Sequence, residues 1–295
     1  GSKLPAKNPI TRPWDSLSDK EKKIQAKVFA TYAAMIESQD RHIGRVIDWL
    51  RETGELDNTL IIYMTDNTFK IGCPHNFIGN PALSSWMEKH FSQDFEDVGH
   101  GNSNWQIGIE WANATTGSLQ WWKWFIAEGG IRVPLIIVPP KTHDNNFKFK
   151  GDISDTFVSV KDLPTTILEY AGIKHPMTKY KGREIVAPTG KNMIPFLKGD
   201  SKTVHGANDW TAFELFGNGY IVRGDYKAMK VRTGMWGDGK WHLYHLRNDP
   251  AESTPLEDKL PDELAELVAI YDDYAKQNNI QAVREDWNPQ KELGH

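Results

Sequence analysis

Apolar residues recur at helical spacing from Ile24 through Val28, Tyr32, Met35, Ile36, Ile43, Val46 and Ile47 to Leu50, and this stripe predicts one long helix. Its start is written in Ser18-Asp19-Lys20-Glu21, a capping box with Ser18 as N-cap and Glu21 reaching back. Gly54 ends the helix, Asp57-Asn58 turns the chain, and Thr59-Leu60-Ile61-Ile62-Tyr63-Met64 follows without polar alternation. An apolar, β-branched run of this length reads as a buried strand of a parallel sheet. Leu135-Ile136-Ile137-Val138, within residues 133–140, reads as a second buried strand. Residues 158–171 read as an amphipathic helix with Leu163, Ile167, Leu168 and Tyr170 inward and Gly172 as its C-cap.

The pattern changes after about residue 205. Tyr220-Ile221-Val222-Arg223, Tyr226-Lys227-Ala228-Met229-Lys230-Val231 and Trp241-His242-Leu243-Tyr244-His245-Leu246 are short strands. Arg223-Gly224-Asp225 and Gly237-Asp238-Gly239 mark the turns between them. A helix over 262–277 follows, with Leu264, Leu267, Val268, Tyr271 and Tyr274 on its apolar side. The expected fold class is α/β: part of a mixed, mostly parallel sheet flanked by helices, plus a small C-terminal antiparallel sheet with a packing helix. The boundary falls between an α/β part over 1–204 and an α+β subdomain over 205–295. Residues 68–120 lack clear periodicity, and an excursion of that length at the carboxyl end of a strand points to function.

Composition narrows the partners. With 35 basic and 39 acidic residues among 295, the net charge of -4 gives no reason to expect nucleic acid. No apolar run approaches the roughly 18 residues of a membrane span. Cys73 is the single cysteine, so no intrachain disulfide forms. No signal peptide is visible. The chain opens Gly1-Ser2 without a Met, which reads as the remnant of a cleaved tag, with any targeting segment lying outside.

The first candidate chemistry lies where the 59–64 strand ends in Asp66-Asn67. Open α/β sheets bind ligands just beyond the carboxyl ends of their strands. One anionic and one neutral oxygen suit calcium or magnesium, which need more ligands than two; the same pair also suits a plain turn. Lys123, in Trp121-Trp122-Lys123-Trp124-Phe125, is either a point charge for an anionic substrate oxygen or a snorkelling surface lysine. Gly129-Gly130 resembles a phosphate nest weakly, and Arg132 reads as an ion-pair residue before a strand. His100, between Gly99 and Gly101, reads as a surface residue beside glycines that would admit a ligand. Cys73-Pro74-His75 does not read as a thiol–imidazole pair, because catalytic partners meet in space and not in sequence.

The order of these segments carries a resemblance. A helix ending Asp40-Arg41-His42-Ile43-Gly44-Arg45-Val46-Ile47-Asp48-Trp49-Leu50 leads through Asn58-Thr59-Leu60-Ile61-Ile62 to Asp66-Asn67. Lys123 and Glu128-Gly129-Gly130-Ile131-Arg132-Val133-Pro134 follow, then Val160-Lys161-Asp162-Leu163-Pro164-Thr165-Thr166, then Leu243-Tyr244-His245-Leu246-Arg247-Asn248-Asp249-Pro250. The chain resembles the C-terminal half of an arylsulfatase-type sulfatase of the alkaline phosphatase superfamily. The resemblance implies sulfate ester hydrolysis, with a small sulfated ester as substrate and calcium, or magnesium, as cofactor. It assigns Asp66 and Asn67 to the metal and Lys123 to substrate contact and leaving-group departure. It also implies a periplasmic or secreted protein. The formylglycine nucleophile, made from a Cys-x-Pro-x-Arg or Ser-x-Pro-x-Arg motif, would lie in an N-terminal half supplied by the same polypeptide or a separate chain. Cys73-Pro74-His75-Asn76 does not fit that motif, and Thr68 stands where the family usually has Gly. The isolated chain is therefore expected to be inactive. A phosphonate or phosphodiester hydrolase of the same superfamily, or a non-catalytic binding fragment, are the alternative readings.

Overall fold

The capping box forms as the sequence writes it. The Ser18 hydroxyl accepts the Glu21 N–H at 3.3 Å, and the Glu21 carboxylate accepts the Ser18 N–H at 2.8 Å. The computed structural model describes residues 8, 10–66, 81–142, 147, 148 and 151–288. Its elements are α1 (Asp19–Glu52), β1 (Ile61–Met64), α2 (Pro81–His90), α3 (Gly108–Thr115), α4 (Glu128–Ile131), β2 (Leu135–Val138), α5 (Asp162–Tyr170), β3 (Lys179–Tyr180), β4 (Arg183–Glu184), α6 (Ile194–Lys198), β5 (Trp210–Leu215), β6 (Asn218–Arg223), β7 (Tyr226–Lys230), β8 (Trp241–His245) and α7 (Pro261–Gln277). No helix among the described residues is long and apolar enough to cross a membrane.

The first half of α1 packs Val28, with Ile24, Phe29 and Tyr32, against Val98, Ile107, Trp105 and Trp111. Its second half carries the same stripe outward: Met35, Ile36, Val46 and Trp49 are exposed. β1 pairs with β2, Ile61 opposite Val138 and Met64 opposite Leu135, and the pairing is antiparallel. This corrects the expectation of two buried strands in a mostly parallel sheet. All pairings between strands of the described residues are antiparallel. β1 is half-buried and β2 exposes Ile136 and Val138. An unbroken apolar run says that both faces of a strand want cover, but it carries no information on strand direction. α5 is also rotated from expectation. Its covered face is Asp162, Thr166 and Tyr170, while Ile167 is exposed. Gly172 sits just past it at φ +66, and the Ile173 N–H reaches back to Leu168 O at 2.9 Å, as a left-handed C-cap requires.

The C-terminal sheet is a four-stranded antiparallel meander in the order β5-β6-β7-β8. Three of its strands were expected; β5, whose Trp210 and Phe213 are exposed, was not. α7 covers one face, where Leu267 and Tyr271 join Ile221, Ala228 and Leu243 in one core. The opposite face meets the loop before α4: Ile126 and Ala127 pack on Met229 and Tyr244.

A charge cluster lies at that junction. Lys227, fully buried in β7, donates to Ile126 O and the Glu128 carboxylate, both at 2.9 Å, and stands 2.7 Å from the Glu252 carboxylate. The other Glu252 oxygen accepts the Glu128 N–H at 2.8 Å. Lys227 also lies 5.1 Å from the Tyr220 ring centre. Two carboxylates share one ammonium, and burial resists the excess negative charge. Burial lifts the Glu252 carboxyl to about 7, against the downward pull of Lys227. Folded Glu252 therefore keeps its proton between the usual 4.5 and about 7, where an unfolded glutamate has lost it. This group's contribution to stability is complete at low pH and is lost as pH rises through that window. The urea midpoint of Glu252→Gln, measured against that of the unsubstituted protein across pH 4 to 8, is expected to lack this slope. Parallel profiles for the two proteins would refute the assignment.

Candidate functional site

Asp66 stands exposed just past the carboxyl end of β1, at the place the sequence reading assigns it. Asn67, Cys73 and His75 lie outside the described residues. Among the described residues no group of three or more His, Cys, Asp or Glu gathers in metal-holding range. Asp66 lines the wall of a cleft of about 2830 Å³ together with Glu128 and Arg132. Lys123 is not among the residues lining that cleft. As an exposed hard oxygen donor at a strand end, Asp66 fits a divalent cation chemically, and it would be one of the several ligands such an ion needs.

Lys123 is half-buried on a tight loop between Trp121 and Trp124, both with left-handed backbone, at φ 60 and 89. Such conformations cost about 1–3 kcal/mol each for a residue with a Cβ, so the surroundings must hold them. Two contacts do so from the aromatic side. Trp121 stacks on Phe125 at 4.0 Å between ring centres, and Trp124 stacks on Phe216 at 5.3 Å with planes 15° apart. The other support is the backbone of α4. The Gly129 N–H donates to Gln120 O at 2.8 Å. A Cβ on Gly129 would fall 2.2 Å from Trp121 O, and one on Gly130 2.2 Å from Phe125 O. The glycine pair thus lets the Lys123 loop lie directly on the helix. It is no phosphate nest, because the Gly129 N–H is spent on Gln120 O and the Gly130 N–H on Ala127 O.

The other candidates resolve as structural. Arg132 is exposed, 4.0 Å from the Glu128 carboxylate. The His100 imidazole is exposed, 3.7 Å from the Asp97 carboxylate, and the His100 backbone N–H closes a turn onto Asp97 O. Asp162, singled out only within its motif, is a buried hub. Its carboxylate accepts the Ser159 and Lys191 N–H groups at 2.7 Å each and meets His205 Nε2 at 2.8 Å. Burial opposes the ionised Asp162, but these donors hold its carboxyl below the usual range. The Lys227–Glu128–Glu252 cluster was missed altogether, although a lysine amid apolar neighbours on a strand was a readable signal. His242 was missed as well: it bridges Glu257 at 2.7 Å and Asp238 at 3.0 Å, and these acids raise its pKa against the effect of burial.

The sulfatase family profile matches residues 7–173. An uncharacterized sulfatase of Schizosaccharomyces pombe is 40% identical over 282 residues, covering 94% of this chain and 48% of its own length. The arylsulfatase of Klebsiella aerogenes is 30% identical over 171 residues, covering 56% of this chain and 34% of its own. Among solved structures, Ps i-CgsB in complex with k-i-k-neocarrahexaose superposes with a TM-score of 0.58 at 21% identity, over 96% of this chain and 53% of that one. The chain thus spans about half the length of the fission yeast relative, or less of the bacterial one. The chain belongs to the sulfatase family.

Proposed function

We propose that this chain is the C-terminal part of a sulfatase that hydrolyses sulfate esters of the aryl type, with Lys123 contacting the sulfate and neutralising the leaving oxygen. The observation that carries this reading is the local build of the Lys123 loop. Two left-handed tryptophans and a glycine pair without room for a Cβ are invested in presenting one lysine. As the bond between sulfur and the ester oxygen breaks, negative charge builds on that oxygen. An ammonium fixed beside it lowers the barrier and can deliver the proton the leaving alcohol takes. Asp66 and Asn67 would hold calcium, or magnesium, whose charge would neutralise the sulfate oxygens. On this reading the nucleophile would come from an N-terminal half that is not part of this sequence.

The same reading accounts for the uncovered apolar surface. Met35, Ile36, Val46 and Trp49 of α1 and Ile136 and Val138 of β2 lie exposed in the described structure. We propose that the N-terminal sulfatase half, in one polypeptide or as a separate chain, packs on them and completes the sheet around β1 and β2.

In the complete enzyme, Lys123→Ala is expected to lower kcat on 4-nitrophenyl sulfate about 10²–10⁴-fold. Undiminished turnover would remove Lys123 from the reaction, and faster hydrolysis of the matching phosphate ester would favour a phosphate-directed enzyme. Asp66→Ala should strip the calcium, or magnesium, found by elemental analysis of the purified complete enzyme. Full metal content in that variant would contradict the assignment.

A further inference from the structure

Residues 278–288, which follow α7, stay against the fold. The segment doubles back over the 233–235 turn that follows β7 and is pinned there by a closed set of hydrogen bonds. The Gly234 N–H donates to Glu285 O at 2.8 Å, the Thr233 hydroxyl to the same oxygen at 2.9 Å, and the Asn288 side-chain amide to Gly234 O at 2.7 Å. A Cβ on Gly234 would fall 2.4 Å from Trp287 O, so the fit is at backbone contact. Arg232, 1% exposed, is the hub. Its guanidinium donates to Arg284 O at 2.5 Å and Trp287 O at 2.8 Å on the tail, and through Nε to Phe216 O at 2.8 Å on the β5–β6 turn. The Trp287 ring lies 5.5 Å from that guanidinium.

The turn that Arg232 grips is the one that supports the Lys123 loop. Phe216 and Gly217 connect β5 to β6 with φ 55 and 78, both positive as a tight two-residue hairpin turn requires. The Phe216 ring stands 6.3 Å from Trp287 and is stacked 5.3 Å from Trp124. Trp124 is the left-handed residue next to Lys123. A continuous line of contacts thus runs from the tail through Trp287, Phe216 and Trp124 to the residue beside the lysine. Stacking of this kind stabilises beyond burial alone and so helps to offset the cost of holding a tryptophan in the left-handed region.

We propose that Trp287 and Phe216 are positioning residues for Lys123: the tail, locked by Arg232, holds Trp124 in its left-handed conformation and so sets where the ammonium points. The proposal rests on the reading of Lys123 as the group that assists the leaving oxygen. Its signature is dependence on the leaving group. A misplaced ammonium matters most when the leaving oxygen is strongly basic, whereas a merely destabilised protein loses active molecules equally for every substrate.

The test uses the complete enzyme with 4-nitrophenyl sulfate and phenyl sulfate. Trp287→Ala is expected to lower kcat on phenyl sulfate about tenfold more than on 4-nitrophenyl sulfate. Trp287→Phe should restore most of the loss, and Trp287→Ala should add nothing in a Lys123→Ala background. Phe216→Leu, which keeps an apolar side chain in the turn, gives the same comparison if Trp287→Ala does not fold. Equal losses on both substrates, or a selective loss that persists without Lys123, overturn the positioning role while Lys123→Ala itself still acts selectively. A Lys123→Ala enzyme with unchanged rates overturns instead the reading of the lysine on which the proposal rests.

Discussion

Lys227 ties the start of α4 to the C-terminal sheet through a buried charge. Its ammonium is buried between Glu128, at the start of the glycine-bearing helix, and Glu252, beyond β8. A buried charge is tolerable only where its partners are fixed, and removing one partner of such a set typically costs about 3–5 kcal/mol. The cluster therefore does more than add a contact. It makes the seat of the α4 helix depend on the C-terminal sheet being folded, since Lys227 belongs to β7 and Glu252 to the segment after β8. The loop carrying Lys123 lies on α4 with no space for a Cβ between them, so its position is inherited from the same clamp.

The loop is held from two directions, and they differ in kind. The α4 side is a hard surface: backbone against backbone, with the Gly129 N–H donated to Gln120 O. The aromatic side is adjustable, with stacking of Trp124 on Phe216 and of Trp121 on Phe125. A lysine on a long flexible stem gains precision only when its Cα is fixed, and both supports act on the backbone around it. β1 and β2, by contrast, form a ribbon whose apolar faces remain partly open. The chain spans about half the length of its fission yeast relative.

Local signals were read well and long-range ones poorly. Ser18 and Glu21 declare a helix start within four residues, and Gly224-Asp225 declares a hairpin between β6 and β7; both stand as read. Asp66 could be placed at a strand end because the apolar run stops there. The direction of β1 relative to β2 could not, since an apolar run reports burial and not pairing. Ile167 was placed inward by its hydrophobicity, but the covered face of α5 is organised by Asp162 and Thr166, whose hydrogen bonds reach residues 191 and 193. Glu128 and Glu252 are 124 residues apart, and nothing local in either marks a shared lysine. A glycine pair suggests a ligand nest in sequence, whereas here it lets another stretch of backbone approach. Trp287 and Phe216 carried no signal, because stacking partners of a loop are chosen by the fold.

The dependence of the Lys123 loop on the buried lysine is tested most directly by amide hydrogen exchange on the protein and its Lys227→Met variant. The Gly129 and Glu128 N–H groups, bonded to Gln120 O and the Glu252 carboxylate, should be protected in the unsubstituted protein. In the variant both should exchange faster than the β6–β7 amides, which keep their ladder. Protection of Gly129 and Glu128 that stays in step with that ladder in both proteins would contradict the account.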